Sequence, residues 1–284
     1  MSQAMDGGPR VLFASGALYV YPLRCAFEVA REAGCDGVEL DVAPEMLLRS
    51  PRSIARLAAA VGMPVLAVHP PLFALPGWQR ERQALPRLVE LALTLGASTI
   101  VVHPPKAMQP DGSRAAGFVA RMLDARRRLE GTGTQLTIEN PGYFAPRDHL
   151  YPFWRIPALR RLAERCGVTM TLDTTHAGSS PYPLLETYEL MRDRLAHVHL
   201  SDLRRPPRWL DRPWLFSYVK HHQMPGEGVL PLAPLLHALA RDGFRGDITL
   251  ELSPLVLQAW SLARARANLA RAALVTRRML AGKL

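Results

Sequence analysis

The stretches "VLAVH" at 65–69 and "TIVVH" at 99–103 decide the fold. Each is a short, near-continuous apolar run rich in β-branched residues and closed by a histidine. Such runs are parallel strands buried on both faces. Working outward, the same pattern returns in "VLFAS" (11–15), "GVEL" (37–40), "QLTIEN" (135–140), "TMTLDT" (169–174), "HVHLSD" (197–202) and "DITLEL" (247–252). Between the runs lie segments of helical periodicity such as "RCAFEVAREAG", "LPRLVELALTLG" and "LAPLLHALARDG". Several close on glycine, a common helix stop. The runs recur at roughly 25–50 residues, which is the spacing of βα units. Eight of them predict an α/β chain folded as one closed (β/α)8 TIM barrel over residues 10–284, with 1–9 as a loose lead-in. A doubly wound open sheet is the structural alternative, but no G-x-G-x-x-G follows the first strand.

Bulk properties agree with one soluble domain. The 284 residues are 48% hydrophobic, enough for a single large core. No apolar run approaches the roughly 20 residues of a membrane span, and "MSQAMDGGPR" lacks a basic-then-apolar signal pattern. Cys25, Cys35 and Cys166 are odd in number, have no paired metal spacing, and read as inert thiols in a reducing compartment. The expected location is therefore cytoplasmic, away from membranes. The formal charge of +10 raises a polyanion partner such as DNA. Yet the arginines spread over helix-like segments ("RSIARLAAA", "ARMLDARRRLE", "ALRRLAERCG", "ARARANLARAALVTRRML") with no basic stripe of interleaved aromatics. They read as solvated helix faces. The last of these segments is expected to pack against the barrel.

The chemistry gathers at the strand ends. Seven of the eight runs, from the second strand to the eighth, carry Glu39, His69, His103, Glu139, Asp173, His199 and Glu251 at their C-terminal ends. In a closed barrel these ends face one mouth, where active sites are built. Two residues earlier stand Ala67, Val101, Thr137, Thr171, His197 and Thr249, which parity places in the next inward layer. His197 is then deeper than His199, supporting it rather than serving as a ligand. A lone histidine or glutamate there is ordinary. The conjunction is not, because charges at a barrel mouth cost desolvation unless paired or bound to metal. Nitrogen and carboxylate donors together suit a divalent ion such as Zn²⁺, Mn²⁺ or Co²⁺.

With these residues the chain resembles the xylose isomerase-like barrel superfamily, which holds sugar isomerases and epimerases and endonuclease IV-type enzymes (AP endonuclease family 2). The motifs are "VHPP" (68–71), "VHPP" (102–105), "IENPG" (138–142), "LDTTH" (172–176), "HLSD" (199–202), "HQMPGEG" (222–228) and "LEL" (250–252). They span nearly the whole chain. The nuclease resemblance implies one ion on His69, His103 and Glu139, and a second on Glu139, Asp173, His199 and Glu251. A third would need His176, His222 and an aspartate where this chain has Lys220. A lysine cation repels a metal, and Leu72 stands where that family tends to place an aromatic side chain for DNA. The isomerase and epimerase resemblance implies a single ion on Glu139, Asp173, His199 and Glu251. There Glu139 and Glu251 would move a proton α to a carbonyl through a metal-stabilised enediolate. His176 would bind a substrate oxygen, Lys220 an anionic group, and Glu39 and Asp202 would be further substrate-binding candidates.

The expected function is a metal-dependent isomerase or epimerase of a small sugar-like substrate. The alternative is a zinc phosphodiesterase acting on damaged DNA, which His69 and His103 favour; Lys220, Leu72 and Glu39 favour small-molecule chemistry. The intact donor set speaks against a barrel that only binds. An oligomer is left open. Asp202 reads equally as a hydrogen-bond partner of a ligand or as a loop cap. Trp209 and Trp214 either anchor the long connection before the last strand or cover substrate. "PGEG" (225–228) reads as a turn whose N–H groups offer an anion site.

Overall fold

A computed structural model describes residues 8–72, 74–78, 81–207, 209–212 and 215–284. The expected lead-in lies mostly outside them, as does Trp214. Eight parallel strands close into a barrel in sequence order: β1 (Val11–Ala14), β2 (Gly37–Asp41), β3 (Val65–His69), β4 (Thr99–Val102), β5 (Gln135–Glu139), β6 (Thr169–Asp173), β7 (Leu195–Leu200) and β8 (Asp247–Leu250). Around it run α1 (Leu23–Glu32), α2 (Pro51–Val61), α3 (Glu81–Leu95), α4 (Ser113–Leu129), α5 (Ile156–Cys166), α6 (Thr174–Gly178), α7 (Leu184–Met191), α8 (Leu232–Arg241), α9 (Pro254–Leu257) and α10 (Leu262–Leu280). Local chemistry fits. Ser50 caps α2 by accepting from Ser53 N–H, and Gly62 ends the same helix at φ 73°.

The two faces of each strand do different work. Outward-facing Val38, Leu40, Val68, Ile100, Ile138, Met170, Leu172, Val198, Ile248 and Leu250 form one continuous core with the helices. The inward-facing residues are polar along much of the barrel: Thr137 and Thr171 share a hydrogen bond, and His197 meets Thr249 at 2.9 Å. This is the inner layer that parity predicts. The barrel closes between β1 and β8, where Arg10 makes a two-pronged contact with Asp247 at 2.7 and 2.9 Å. Helix α10 packs on α1 and α8. Its arginines bind neighbouring units: Arg266 meets Glu32 at 2.5 Å, Arg277 meets Asp36 at 2.9 Å, and Arg271 pairs with Glu227. Part of the positive charge thus serves to tie the ring of helices.

One strand end departs from expectation. β2 runs on to Asp41 rather than stopping at the GVEL run. A register shift between Val38 and Glu39 sets Glu39 beside Ala67 and Asp41 beside His69. Asp41 therefore shares the mouth layer, and Glu39 lies one layer below it. Cys35 and Cys166 are free and buried, and burial pushes both thiols up to about 12, which disfavours the reactive thiolate. Among the described residues no helix is long and apolar enough to cross a membrane.

Candidate metal centre

The strand ends converge as the register requires. Potential donor atoms of Glu139, Asp173, His199 and Glu251 lie within 4.8 Å of one another, and so do those of His69, His103 and Glu139. Glu139 is the hub. Its Oε2 lies 3.5 Å from His69 Nε2 and 3.2 Å from His103 Nε2. Its Oε1 lies 2.9 Å from His176 Nδ1 and 3.6 Å from His199 Nδ1. One carboxylate thus spans both donor sets. His199 Nδ1 is also 3.1 Å from Glu251 Oε2, so this ring nitrogen sits between the two glutamates.

Asp173 divides its labour. Its Oδ1 caps α6, accepting from His176 N–H at 2.8 Å and from the Thr175 hydroxyl at 3.0 Å, while Oδ2 is left without a hydrogen bond. Glu139 Oε2, His199 Nδ1 and Glu251 Oε2 are likewise buried without one. Each member of the set thus keeps at least one unsatisfied buried polar atom, and His199 keeps both ring nitrogens, which is costly unless something binds them together. The residues therefore fit a divalent ion: three carboxylates and an imidazole match the hard-to-borderline cations.

Charge is arranged accordingly. Burial disfavours the Glu139 carboxylate, but the neighbouring His199, His103 and His176 outweigh it and hold the group well below its ordinary range. Glu251 is likewise lowered, against burial, by His222 and His199. Asp173 goes the other way, because burial and the neighbouring Glu251 and Glu139 raise it. Burial disfavours the His176 cation, yet Asp173, Glu139 and Glu251 push it up to about 9.

A cavity of about 260 Å³ opens beside the donors, lined in part by Asp41, Tyr19, Leu72, Tyr218, His222 and Glu251. It lies near the lower bound of the roughly 300–1,000 Å³ usual for small-molecule sites. Tyr19 and Tyr218 carry no strand-end signature, and Asp41 was hidden by the register shift. Asn140 was missed too. Its Oδ1 accepts from Asp173 N–H at 2.7 Å and its Nδ2 donates to Asp173 O at 3.1 Å, joining the ends of β5 and β6.

Three expectations drawn from the sequence change with the geometry. Glu39 does not face the cavity; it is buried beneath the mouth against His197 at 2.7 Å, His199 at 2.9 Å and Thr249 at 2.9 Å. Asp202 spends its carboxylate on the backbone N–H groups of Leu203, Gly226, Gly228 and Leu230 at 2.8–3.0 Å. It is the loop cap, and it occupies the turn amides that an anion would need. Lys220 lies 3.5 Å from Asp211 and 4.4 Å from the Phe216 ring. Trp209 is largely solvent-exposed. No third donor cluster joins His176 and His222 among the described residues. His222 holds a left-handed backbone at φ 53°, with Nδ1 3.9 Å from Glu251 Oε1. His221 is packed against the Phe144 ring with a centroid distance of 4.9 Å.

Fold and site together define a βα barrel with an acid-and-histidine donor set at its C-terminal mouth. The chain belongs to the xylose isomerase-like TIM barrel family, whose model matches residues 27–273. An uncharacterised protein of Mycobacterium tuberculosis is 30% identical, the match covering 86% of this chain and 90% of that one. Similar solved structures include a 3-keto-D-glucoside 4-epimerase from E. coli (22% identity, TM-score 0.63, 93% of this chain and 98% of that one). Others are a D-psicose 3-epimerase from Clostridium cellulolyticum H10 (14%, 0.69, 95% and 99%) and a family 2 AP endonuclease from Brucella melitensis (19%, 0.65, 90% and 97%). At these identities the likeness to solved structures establishes the fold.

Proposed function

We propose that the chain is a metal-dependent isomerase or epimerase of a sugar or sugar derivative. The observation that carries this reading is the convergence of Glu139, Asp173, His199 and Glu251, each with an unsatisfied buried donor atom, beside a small cavity into which Glu251 opens. A divalent ion (Zn²⁺, Mn²⁺ or Co²⁺) held there would polarise a carbonyl oxygen and offset the negative charge that grows as an α proton leaves. Glu251 and Glu139 flank His199 Nδ1 and are both held as carboxylates at neutral pH, so either can accept that proton. Returning it on the opposite face inverts the carbon; returning it to the neighbouring carbon moves the carbonyl. His176, its Nδ1 held between Glu139 Oε1 at 2.9 Å and Asn140 O at 3.0 Å, would bind a substrate oxygen through its other ring nitrogen. Substrate fills the cavity against Tyr19, Tyr218 and Leu72, which shields the reacting carbon from water.

A second reading, a binuclear phosphodiesterase resembling AP endonucleases, is favoured by one specific observation: Glu139 also touches His69 and His103. Against it stand the lack, among the described residues, of a donor cluster joining His176 and His222, and the Lys220–Asp211 pairing. The deciding experiment incubates the chain, loaded with Mn²⁺, Co²⁺ or Zn²⁺, with ketoses, aldoses and keto-glycosides in D₂O. NMR should show deuterium at the carbon next to the carbonyl, and Glu139→Gln and Glu251→Gln should abolish it. Nicking of abasic-site DNA, without exchange into any sugar, would overturn the isomerase reading in favour of the second.

A further inference from the structure

We propose that β2 is the positioning strand of the donor set: Glu39 and Asp41 fix the ring orientation and tautomer of His199 and His69, so that one chosen nitrogen of each faces Glu139. The inference rests on the metal-binding part of the reading above, and on geometry that reading does not use.

Glu39 and Asp41 are two residues apart and so share one face of the strand. Each reaches a different histidine on a different neighbour. Glu39 Oε1 lies 2.9 Å from His199 Nε2, on β7 across the barrel, which leaves Nδ1 towards Glu139 and Glu251. Asp41 Oδ1 lies 3.3 Å from His69 Nδ1, on adjacent β3, which leaves Nε2 towards Glu139. The two histidines thus present opposite ring nitrogens to the same hub. A neutral imidazole carries its proton on one nitrogen and a lone pair on the other. A carboxylate behind the ring keeps the proton on its own side and makes the far nitrogen the better donor to an ion.

Both carboxylates are themselves held. Glu39 Oε2 accepts from His197 Nε2 at 2.7 Å and from the Thr249 hydroxyl at 2.9 Å. Asp41 Oδ2 accepts from Gly16 N–H at 2.7 Å, and Asp41 N–H donates to Ser15 Oγ at 2.9 Å. Neither histidine nitrogen makes a hydrogen bond to its carboxylate; each pair is a close charge contact that sets the side of the ring facing Glu139. Glu39, His197 and His199 also come close enough to resemble a separate ion site. Saturation of Glu39 Oε2 by His197 and Thr249 makes that trio a support instead. His197, expected from its depth to support His199, does so through Glu39.

The test measures Zn²⁺ and Mn²⁺ affinity and stoichiometry of the full chain by chelator competition, with no substrate present. Glu39→Gln should weaken the ion held by Glu139, Asp173, His199 and Glu251 by about 10–100-fold and spare any ion at His69 and His103. Asp41→Asn should do the reverse, and His103→Ala marks which ion is which. Should the wild type hold one ion only, the Glu39 limb decides alone. Should Glu39→Gln fail to fold, Thr249→Val, which removes the hydroxyl that holds Glu39, takes its place. A merely structural role would weaken both ions together or neither, and either result overturns the inference. A wild type that binds no divalent ion overturns the proposed function as well, whereas a binding wild type with unchanged variants overturns this inference alone.

Discussion

Replacing Glu139 by Gln keeps the shape of the hub and removes its charge, and the consequence for folding can be worked out before any substrate is known. Four imidazoles surround this carboxylate at 2.9–3.6 Å. The clearest gauge is His176, which burial opposes but which Asp173, Glu139 and Glu251 raise from 6.5 to about 9. At about 1.4 kcal/mol per pH unit, that rise amounts to roughly 3 kcal/mol of coupling. Glu139 is one of three carboxylates responsible, so roughly 1–2 kcal/mol belongs to it. The signs define a window. A histidine raised in the folded state contributes stability that is complete below its unfolded value of 6.5 and lost as pH rises through about 9. A glutamate lowered in the folded state contributes stability present above its unfolded value of 4.5 and lost as pH falls. In a chelator, Glu139→Gln should therefore be less stable than wild type by roughly 1–2 kcal/mol between those two unfolded values. The gap should narrow above pH 9. Urea unfolding at pH 5.5 and pH 9.5 with EDTA compares the plateau with its alkaline limit. A variant equal to or more stable than wild type at pH 5.5, or a gap that ignores pH, would refute the idea that this carboxylate binds the imidazoles together. Adding metal at 100 times its dissociation constant should then stabilise the wild type by about 2.7 kcal/mol and the variant far less.

Other perturbations read other parts of the molecule. Exhaustive chelation should stop any solvent-hydrogen exchange into a sugar, and one divalent ion per chain should restore it; exchange that persists in the metal-stripped protein would exclude the proposed mechanism. Asp202→Ala strands four backbone N–H groups and should cost about 3 kcal/mol in urea unfolding, with metal affinity unchanged. Lys220→Ala breaks only a partly exposed contact with Asp211 and should cost less than about 1 kcal/mol, leaving metal stoichiometry intact. A Cβ at Gly16 would stand 2.7 Å from Leu72 Cδ1 and 3.0 Å from Asp41, so Gly16→Ala should cost roughly 1–3 kcal/mol by overpacking and raise KM while sparing the outer core.

The barrel was legible because its strands are buried on both faces and so read as uninterrupted apolar runs. "VLAVH" marks β3 to the residue. The donor residues were legible for a related reason: a charge that closes such a run has nowhere to point except the mouth. What the runs cannot display is an irregularity in pairing. The shift beside Val38 moved the mouth position of β2 from Glu39 to Asp41, and no side-chain pattern records it. Loop chemistry was harder still. Asp202 follows a strand end like any candidate ligand, and only the return of residues 223–230 to its carboxylate shows that it is spent on backbone. Lys220 looked like a charge awaiting an anion until Asp211, nine residues earlier, came to meet it.

The division between the outward and inward faces of the strands has a further meaning for how this chain can change. Its cohesion resides outside, where Val38, Ile100, Ile138 and their neighbours grip the helices. The proposed chemistry resides inside and above, on residues that contribute little to that grip. On that reading a substitution at the mouth can alter which molecule is turned over while the scaffold persists.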